Sequence, residues 1–258
     1  MKQALAIIKV GGKIVEEQDS LIRLLDDISG LPGLKLLVHG GGRSATAMAA
    51  KLGIETVMIE GRRVTTEEML GVVTMVYAGK VNKNIVANLQ ARGINALGLT
   101  GADMNVICGH KREVKTVDYG WVGDVDNVDG ERLASLISAG IMPVMAPLIH
   151  DGKGNMLNTN ADTIAGETAK ALARFFDVTL VFCFEKPGVL RSEDDDNSVI
   201  SVITPSVYEN LVADGIVSGG MLPKLKNAFD ALQAGVKEVI ITKADSVENL
   251  EKGSHLHL

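Results

Sequence analysis

Aromatic residues are scarce in this chain, which contains one Trp, three Tyr and five Phe among 258 residues. Apolar residues nevertheless make up 46% and charged residues 22%, close to the globular average, so a disordered protein is excluded. Glycine is abundant instead: the chain has 28, well above the usual share of ~7%. Aliphatic runs separated by many glycine turns favour a ligand-binding α/β protein over a β-sandwich.

Long apolar runs and a signal-peptide pattern are also missing. The longest apolar stretches, such as IMPVMAPLI at 141–149, fall far short of the ~20 residues of a membrane span. The two cysteines, Cys108 and Cys183, lie in apolar stretches without CxxC spacing, which predicts buried free thiols in a reducing compartment. These absences predict a soluble, cytoplasmic protein without a membrane partner.

Basic residues are also fewer than acidic residues. Lys and Arg number 26 against 32 Asp and Glu, so the net charge is −6, and no dense Lys/Arg run occurs. A nucleic-acid partner is therefore not expected. The sequence contains no HExxH motif and no Cys/His cluster, so no metal centre is predicted. The phosphate motifs GxxxxGK[ST] and GxGxxG are absent, and without a GxSxG elbow the HGGG at 39–42 is not predicted to serve an esterase.

The order of apolar runs and glycine turns predicts an open, mostly parallel sheet sandwiched between helices, in a single α/β domain over residues 1–258. Predicted strands lie at 4–10, 34–38, 94–99, 104–110, 142–147, 178–184 and 238–242. Predicted helices lie at 16–29, 43–52, 66–92 with a break near Gly79, 130–139, 161–175, 205–213 and 221–233. Residues 111–127 suggest a hairpin above the sheet, and residues 191–198 an exposed acidic loop. The residues after Gly253 carry no pattern that predicts a structural role, and the sequence leaves open whether they are native.

Three charged residues stand at the ends of predicted elements. Lys9 ends the first strand, Lys224 follows the pair Gly219-Gly220 at the start of a helix, and Asp162 opens another helix. Taken separately, each is best interpreted as a solvated charge. Together, at element ends on one side of a sheet, they favour an anion site, because a lysine directed inward is costly without an anion. Glycine turns after strands add backbone N–H donors for such an anion.

Seven segments in fixed order resemble the amino-acid kinase family, and within it the acetylglutamate kinases most closely. The likeness covers nearly the whole chain, and its most specific parts are HGGG, NTNAD and GGM…K. The segments are IIKVGG (7–12), LLVHGGG (36–42), GRRVT (61–65), KVNKNIV (80–86), GLTGADMNVI (98–107), MPVMAPLIHDGKGNMLNTNAD (142–162) and GGMLPKL (219–225).

The resemblance implies an acyl-glutamate site toward the N-terminal half and an ATP site in the C-terminal part, about 176–258. It implies ATP as cofactor, with Mg²⁺ carried by the nucleotide, and a homodimer. It also assigns residue roles: Lys9 and Lys224 neutralise the transferring phosphoryl group, Asp162 holds both lysines, Gly11, Gly12 and Gly41 bind phosphoryl oxygens, Gly41 and Gly42 line the acyl-glutamate pocket, and Arg63 and Asn158 bind the α-carboxylate. The nucleophile would be a γ-carboxylate, already ionised at pH 7, so no general base is required.

Two residues depart from the family pattern. Glu185 stands where the family commonly has aspartate, and Arg62 stands where an apolar residue usually precedes the carboxylate-binding Arg63. Arg62 is either a surface residue or a second cation in the pocket, which would favour an N-succinyl over an N-acetyl group. Two other functions stay open: another small-carboxylate or carbamate kinase on the same fold, and a catalytically silent, regulatory ligand-binding protein.

Overall fold

The structure is a computed structural model that describes residues 2–192, 194–219 and 221–258. Gly220 of the predicted glycine pair and Glu193 of the predicted acidic loop lie outside the described residues. The strands are β1 Ala4–Val10, β2 Leu34–His39, β3 Met58–Ile59, β4 Arg62–Arg63, β5 Ala96–Leu99, β6 Ile107–Lys111, β7 Gly123–Val128, β8 Met142–Met145, β9 Leu148–His150, β10 Met156–Asn158, β11 Asp177–Phe184, β12 Val202–Ile203, β13 Glu238–Lys243 and β14 Ser254–Leu256. The helices are α1 Gly12–Glu16, α2 Gln18–Gly30, α3 Gly42–Lys51, α4 Glu67–Val73, α5 Asn82–Gln90, α6 Gly130–Ser138, α7 Ala161–Leu172, α8 Pro205–Ala213 and α9 Met221–Gln233.

The main sheet is open, with the strand order β12-β14-β13-β11-β1-β2-β8-β5. Neighbouring strands are parallel except for β13 and β14, which are antiparallel. Apolar clusters cover both faces of this sheet, so the predicted fold class is confirmed. Because parallel strands end at the same edge, the turns after β1, β2, β8 and β11 meet there, which is where open α/β sheets bind ligands.

The alternation of side chains along β1 decides which helices face Lys9. Leu5 and Ile7 belong to the apolar cluster that also contains residues of α6, α7 and α9. Ile8 and Val10 belong to the cluster on the other face, with residues of α2 to α5. Since side chains two apart on a strand share a face, Lys9 lies on the side of α7 and α9. These helices carry Asp162 and Lys224 in their first turns.

The helical region predicted at 66–92 does not break at Gly79. Its backbone widens into a π-helical segment over Thr74–Val81, which joins α4 directly to α5. Such segments occur often at functional sites. In the described part of the chain, no helix is long and apolar enough to cross a membrane.

The strand predicted at 104–110 is β6, and the residues predicted as a hairpin, 111–127, supply one further strand, β7, which pairs antiparallel with β6. They form part of a smaller sheet in the order β10-β9-β6-β7. A separate hairpin, β3–β4, carries the two adjacent arginines of the GRRVT segment. Both cysteines are free, as expected, but only Cys183 is buried; Cys108 is half-buried at the start of β6. Burial raises the pKa of the Cys183 thiol to about 12.

The residues after Gly253 do have a structural role, contrary to the sequence expectation. Ser254–Leu256 form β14, which lies between β12 and β13 in the main sheet. Ser254 is fully buried, and its Oγ accepts a hydrogen bond from the backbone N–H of Val189 at 2.9 Å. The pattern SHLHL is too short to predict a strand on its own, and one of its two partner strands, β12, is distant in sequence.

Candidate active site

A buried ion pair lies at the edge where the parallel strands end. Lys9 Nζ is 2.7 Å from Asp162 Oδ1, and their side chains are only 9% and 19% exposed. Asp162 is positioned by the start of α7, where Asn160 caps the helix by accepting a hydrogen bond from the Asp162 backbone N–H at 2.7 Å. The separation of 2.7 Å is that of a charge-assisted contact, although the angles at Asp162 Oδ1 are not those of an ordinary hydrogen bond. Charges this buried require a partner, which the pair provides.

Lys224 reaches the same region from α9. Its Nζ lies 3.9 Å from the centroid of the Phe184 ring, and Lys9 Nζ lies 5.2 Å from the same centroid. Burial lowers the pKa of Lys224, the Asp162 carboxylate opposes this shift, and the Lys9 charge adds to it. The structure therefore brings together the three predicted catalytic residues. The predicted contact of Asp162 with both lysines is found as an ion pair for Lys9 alone in the described part of the chain.

Two glycine turns pack against each other beside the ion pair. A Cβ on Gly40 would lie 2.9 Å from the backbone nitrogen of Gly12, and a Cβ on Gly12 would lie 3.2 Å from that of Gly41. A Cβ on Gly41 would lie 2.8 Å from the Tyr77 ring in the π-helical segment. The contact at Gly40 is with backbone, so a side chain there would displace the turn, and a side chain at Gly12 or Gly41 would force its neighbours to shift. Gly42 begins α3, so backbone N–H groups of its first turn have no partner within the helix.

His39 stabilises the glycine turn at Gly40 through hydrogen bonds and is not assigned a part in the reaction. The ring is fully buried, with Nδ1 2.7 Å from the Gly40 carbonyl oxygen and Nε2 3.0 Å from Asn82 Nδ2. This pattern assigns the proton to Nδ1, which donates to Gly40, while Nε2 accepts from Asn82. Burial lowers the pKa of His39 to about 4, so the ring is neutral at pH 7. Asn82 also donates to the Val144 carbonyl oxygen at 2.9 Å, which links α5 to β8.

Arg63 is buried beside the start of α3. Its Nη2 donates to the Gly42 carbonyl oxygen at 2.8 Å and to Thr46 Oγ1 at 2.9 Å, and its Nη1 lies 3.3 Å from Thr56 Oγ1. The contacts hold the plane of the guanidinium in one orientation. Asn158, also buried, donates from Nδ2 to Thr65 Oγ1 at 3.0 Å. Both predicted carboxylate-binding side chains are therefore fixed before any ligand binds.

A cavity of about 360 Å³ joins these groups. Seven predicted site residues line it: Lys9, Gly12, Gly41, Gly42, Arg63, Asn158 and Asp162. Gly11 and Lys224 are not among its lining residues. Sequence analysis missed Tyr77, which lines the cavity, and Phe184, whose ring contacts both lysines. Phe184 ends the predicted strand at 178–184, so its position at the strand edge was available as an indication, whereas nothing in the sequence directs Tyr77 to Gly41.

The two residues that depart from the family pattern have different surroundings. Arg62 is half-buried and lines the same cavity as Arg63. Glu185 forms an ion pair of 3.0 Å with Lys13, in which the side chains are 61% and 41% exposed. Its carboxylate therefore contacts neither of the predicted catalytic lysines as an ion pair.

Metal-binding side chains are not gathered at the cavity. Among the residues that the structure describes, one group of three His, Cys, Asp or Glu side chains has ligand spacing, and it consists of Glu238, His255 and His257. Glu238 begins β13, so this group lies at the opposite edge of the sheet from the cavity. The cavity itself offers cations and N–H donors, which suit an anionic ligand.

Comparison with known proteins adds independent information. The model of the amino acid kinase family matches residues 4–243. The acetylglutamate kinase of Bacteroides thetaiotaomicron is 66% identical over 97% of this chain and 98% of its own, and that of Phocaeicola vulgatus is 68% identical over 96% of both. Among solved structures, N-acetylglutamate synthase from Neisseria gonorrhoeae superposes with a TM-score of 0.82 at 22% identity, over 99% of this chain and 59% of that one, which shows a common fold.

Proposed function

The chain belongs to the amino acid kinase family, and from that premise we propose that it uses ATP to phosphorylate the γ-carboxylate of N-acetyl-L-glutamate, a step of arginine biosynthesis. The observation that carries the proposal is the buried Lys9–Asp162 ion pair, at 2.7 Å, in the wall of a cavity that also holds Arg63 and Asn158. The relatives named acetylglutamate kinase support the choice of substrate.

In the proposed reaction the γ-carboxylate attacks the γ-phosphorus of ATP, and ADP leaves. The difficulty is to bring one anion to another, because the nucleophile is already ionised at pH 7. Lys9 and Lys224 would neutralise charge that develops on the transferring phosphoryl group, and the N–H groups of Gly12 and Gly41 would donate to its oxygens. Asp162 would hold Lys9 in position through the 2.7 Å contact at Oδ1, and its negative charge would also attract Lys224 in the loaded enzyme.

The two substrates would occupy different sides of the ion pair. Arg63 and Asn158 would bind the α-carboxylate in the cavity, with Gly42 beside them, while ATP with Mg²⁺ would enter as substrate along the C-terminal part, about 176–258. Gly11, at the end of β1, would face the nucleotide phosphates. The chain would act in the cytoplasm as a homodimer. Sedimentation analysis of the purified protein tests the oligomeric state.

A second substrate, N-succinyl-L-glutamate, is favoured by one observation. Arg62 is half-buried and lines the same cavity as Arg63, where it could pair with the extra carboxylate of a succinyl group. A charge-assisted contact of this kind contributes about 1.5–3 kcal/mol, equivalent to a preference of roughly 10- to 100-fold. The test is kcat/KM for both substrates in the wild type and in Arg62→Leu. Equal ratios in the two proteins would show that Arg62 does not contact the acyl group.

An ADP-release assay with five acceptors tests the proposed function. N-acetylglutamate, N-succinylglutamate, glutamate, aspartate and carbamate are compared at equal concentration, with Lys9→Met as the inactive control. Turnover of an N-acyl-glutamate well above the other three supports the proposal. A preference for carbamate or a free amino acid would assign another kinase activity, and no turnover of any acceptor would favour a regulatory ligand-binding protein.

A further inference from the structure

Two histidines and a glutamate meet at the edge of the sheet that is remote from the cavity. His255 Nδ1 lies 2.7 Å from Glu238 Oε1, and His257 Nε2 lies 3.6 Å from the same oxygen. The two imidazole rings are nearly parallel, with centroids 6.3 Å apart. The side chains are between 20% and 44% exposed, so the group is accessible from solvent.

The pairing of β13 with β14 creates this group. Ile240 is paired with His255 in the antiparallel register, and Val239 with Leu256. Side chains alternate along a strand, so Glu238 shares a face with Ile240, and His257 shares a face with His255. The antiparallel pairing then brings Glu238 next to both histidines. Backbone hydrogen bonds from His255 to Ser201 and from His257 to Ile203 hold the second side of β14.

We propose that Glu238, His255 and His257 bind a divalent transition-metal ion of the zinc class. Imidazole nitrogen and carboxylate oxygen are the ligands that such ions accept, and two histidines with one carboxylate form a known three-ligand set. One ligand atom from each residue lies within 4.8 Å of the others. A tetrahedral zinc ion, bound at ~2.0–2.1 Å, separates its ligand atoms by roughly 3.3 Å, so small side-chain rotations complete the site. Water would occupy the fourth position.

The proposed metal site would stabilise the fold and would take no part in catalysis, because it lies far from the cavity. Glu238 is the first residue of β13, whereas the cavity lies beyond the carboxyl ends of the parallel strands. An ion bound here would link β14 to β13 and would stabilise the strand arrangement over residues 254–257. Sequence analysis did not find the site, because residues 254–257 were not predicted to form a strand and only their pairing with β13 brings the two histidines to Glu238.

The experiment is a titration of the full, metal-free chain with ZnCl₂, followed by calorimetry and by thermal unfolding. We expect one ion per chain and a rise in Tm of about 5–10 °C at a hundredfold excess over Kd. His257→Gln removes the most exposed ligand, and Glu238→Gln removes the carboxylate; each should weaken binding at least tenfold. Co²⁺ bound to the wild type should give the visible absorption of a tetrahedral site.

His110→Gln is the matched control. His110 is another exposed histidine, and its Nδ1 pairs with Asp126 at 2.7 Å, in the hairpin of β6 and β7. This variant should bind zinc as the wild type does. The proposal is wrong if the wild type binds no zinc, or if His257→Gln binds it with unchanged affinity and stoichiometry. If Glu238→Gln fails to fold, His257→Gln decides the question, because the His257 side chain is 44% exposed and its replacement disturbs the fold least.

Discussion

Two lysines near the end of β1 form ion pairs of similar length in different surroundings. Lys9 pairs with Asp162 at 2.7 Å, and Lys13 pairs with Glu185 at 3.0 Å. The first pair is largely buried against the Phe184 ring, whereas the second is open to water and salt. Because a low-dielectric environment strengthens charge interactions and water screens them, distance alone does not rank these contacts. The comparison indicates that the stronger charge interaction is that of the buried pair, which is the pair proposed to act in the reaction.

Replacing the buried lysine should have the largest effect. Lys9→Met retains most of the side-chain volume but removes the charge, and we expect kcat to fall by about 10²–10³. The KM for the acyl-glutamate should change much less, because the charge is proposed to act on the transferring phosphoryl group. Lys224→Met should behave in the same way. Steady-state kinetics measure both parameters.

Lys13→Met is the control for this experiment, since it removes a lysine of the same strand edge from an exposed pair. Its kcat should stay close to that of the wild type. If Lys9→Met kept near-normal turnover in a protein with unchanged thermal stability, Lys9 would have no part in the reaction. If Lys13→Met lost as much activity as Lys9→Met, burial would not be what distinguishes the two pairs.

The buried surroundings of the cavity should also make stability depend on pH. His39 has a pKa of about 4 in the folded protein, against about 6.5 when unfolded. Between these values the unfolded state binds more protons than the folded state. The free energy of unfolding therefore contains the full contribution of His39 above about pH 6.5, and it decreases as the pH falls toward 4. The difference amounts to about 3 kcal/mol at most.

Urea unfolding at a series of pH values measures this effect. In His39→Gln, which retains an amide donor and acceptor, the decrease in the free energy of unfolding between pH 6.5 and 4 should be smaller than in the wild type. Between pH 7 and 8 the two proteins should differ by a constant amount. An identical decrease in both proteins at acidic pH would show that His39 does not titrate on unfolding.

Structural features that depend on a local sequence pattern or on the family resemblance could be predicted here, whereas other contacts between separate segments of the chain could not. The parallel sheet and the meeting of Lys9 with Asp162 follow from strand alternation, glycine turns and the family resemblance. Over Thr74–Val81 the sequence predicted a helix with a break near Gly79. The π-helical segment could not be predicted there, because a widened helix has the same local pattern as a regular one. The contact of Tyr77 with Gly41 and the pairing of β14 with β12 join residues distant in sequence, and the short pattern of β14 gives no indication of its pairing with the nearer β13.

Arg63→Lys should have an intermediate effect that is confined to one substrate. Lysine retains the charge but cannot form the contacts that Arg63 makes through two nitrogens, Nη2 with Gly42 and Nη1 with Thr56. We expect the KM for the acyl-glutamate to rise roughly 10- to 100-fold, while the KM for ATP changes little. A similar rise for both substrates would indicate a general distortion of the site, and an unchanged KM would exclude carboxylate binding by Arg63.

The smallest effect is expected for the exposed pair itself. Glu185→Gln removes a carboxylate that is 61% exposed and that pairs, within the described residues, with the half-exposed Lys13. Exposed ion pairs of this kind contribute about 0.2–1 kcal/mol, so the KM for ATP and kcat should each change by less than about fivefold. Glu185→Asp, which restores the residue common in the family, should be equally mild. A double-mutant cycle with Lys13→Gln, measured at low and at high salt, isolates the pair, and its coupling energy should decrease as salt increases. A loss of kcat in Glu185→Gln comparable with that in Lys9→Met would place Glu185 in the reaction and would contradict the ranking by burial.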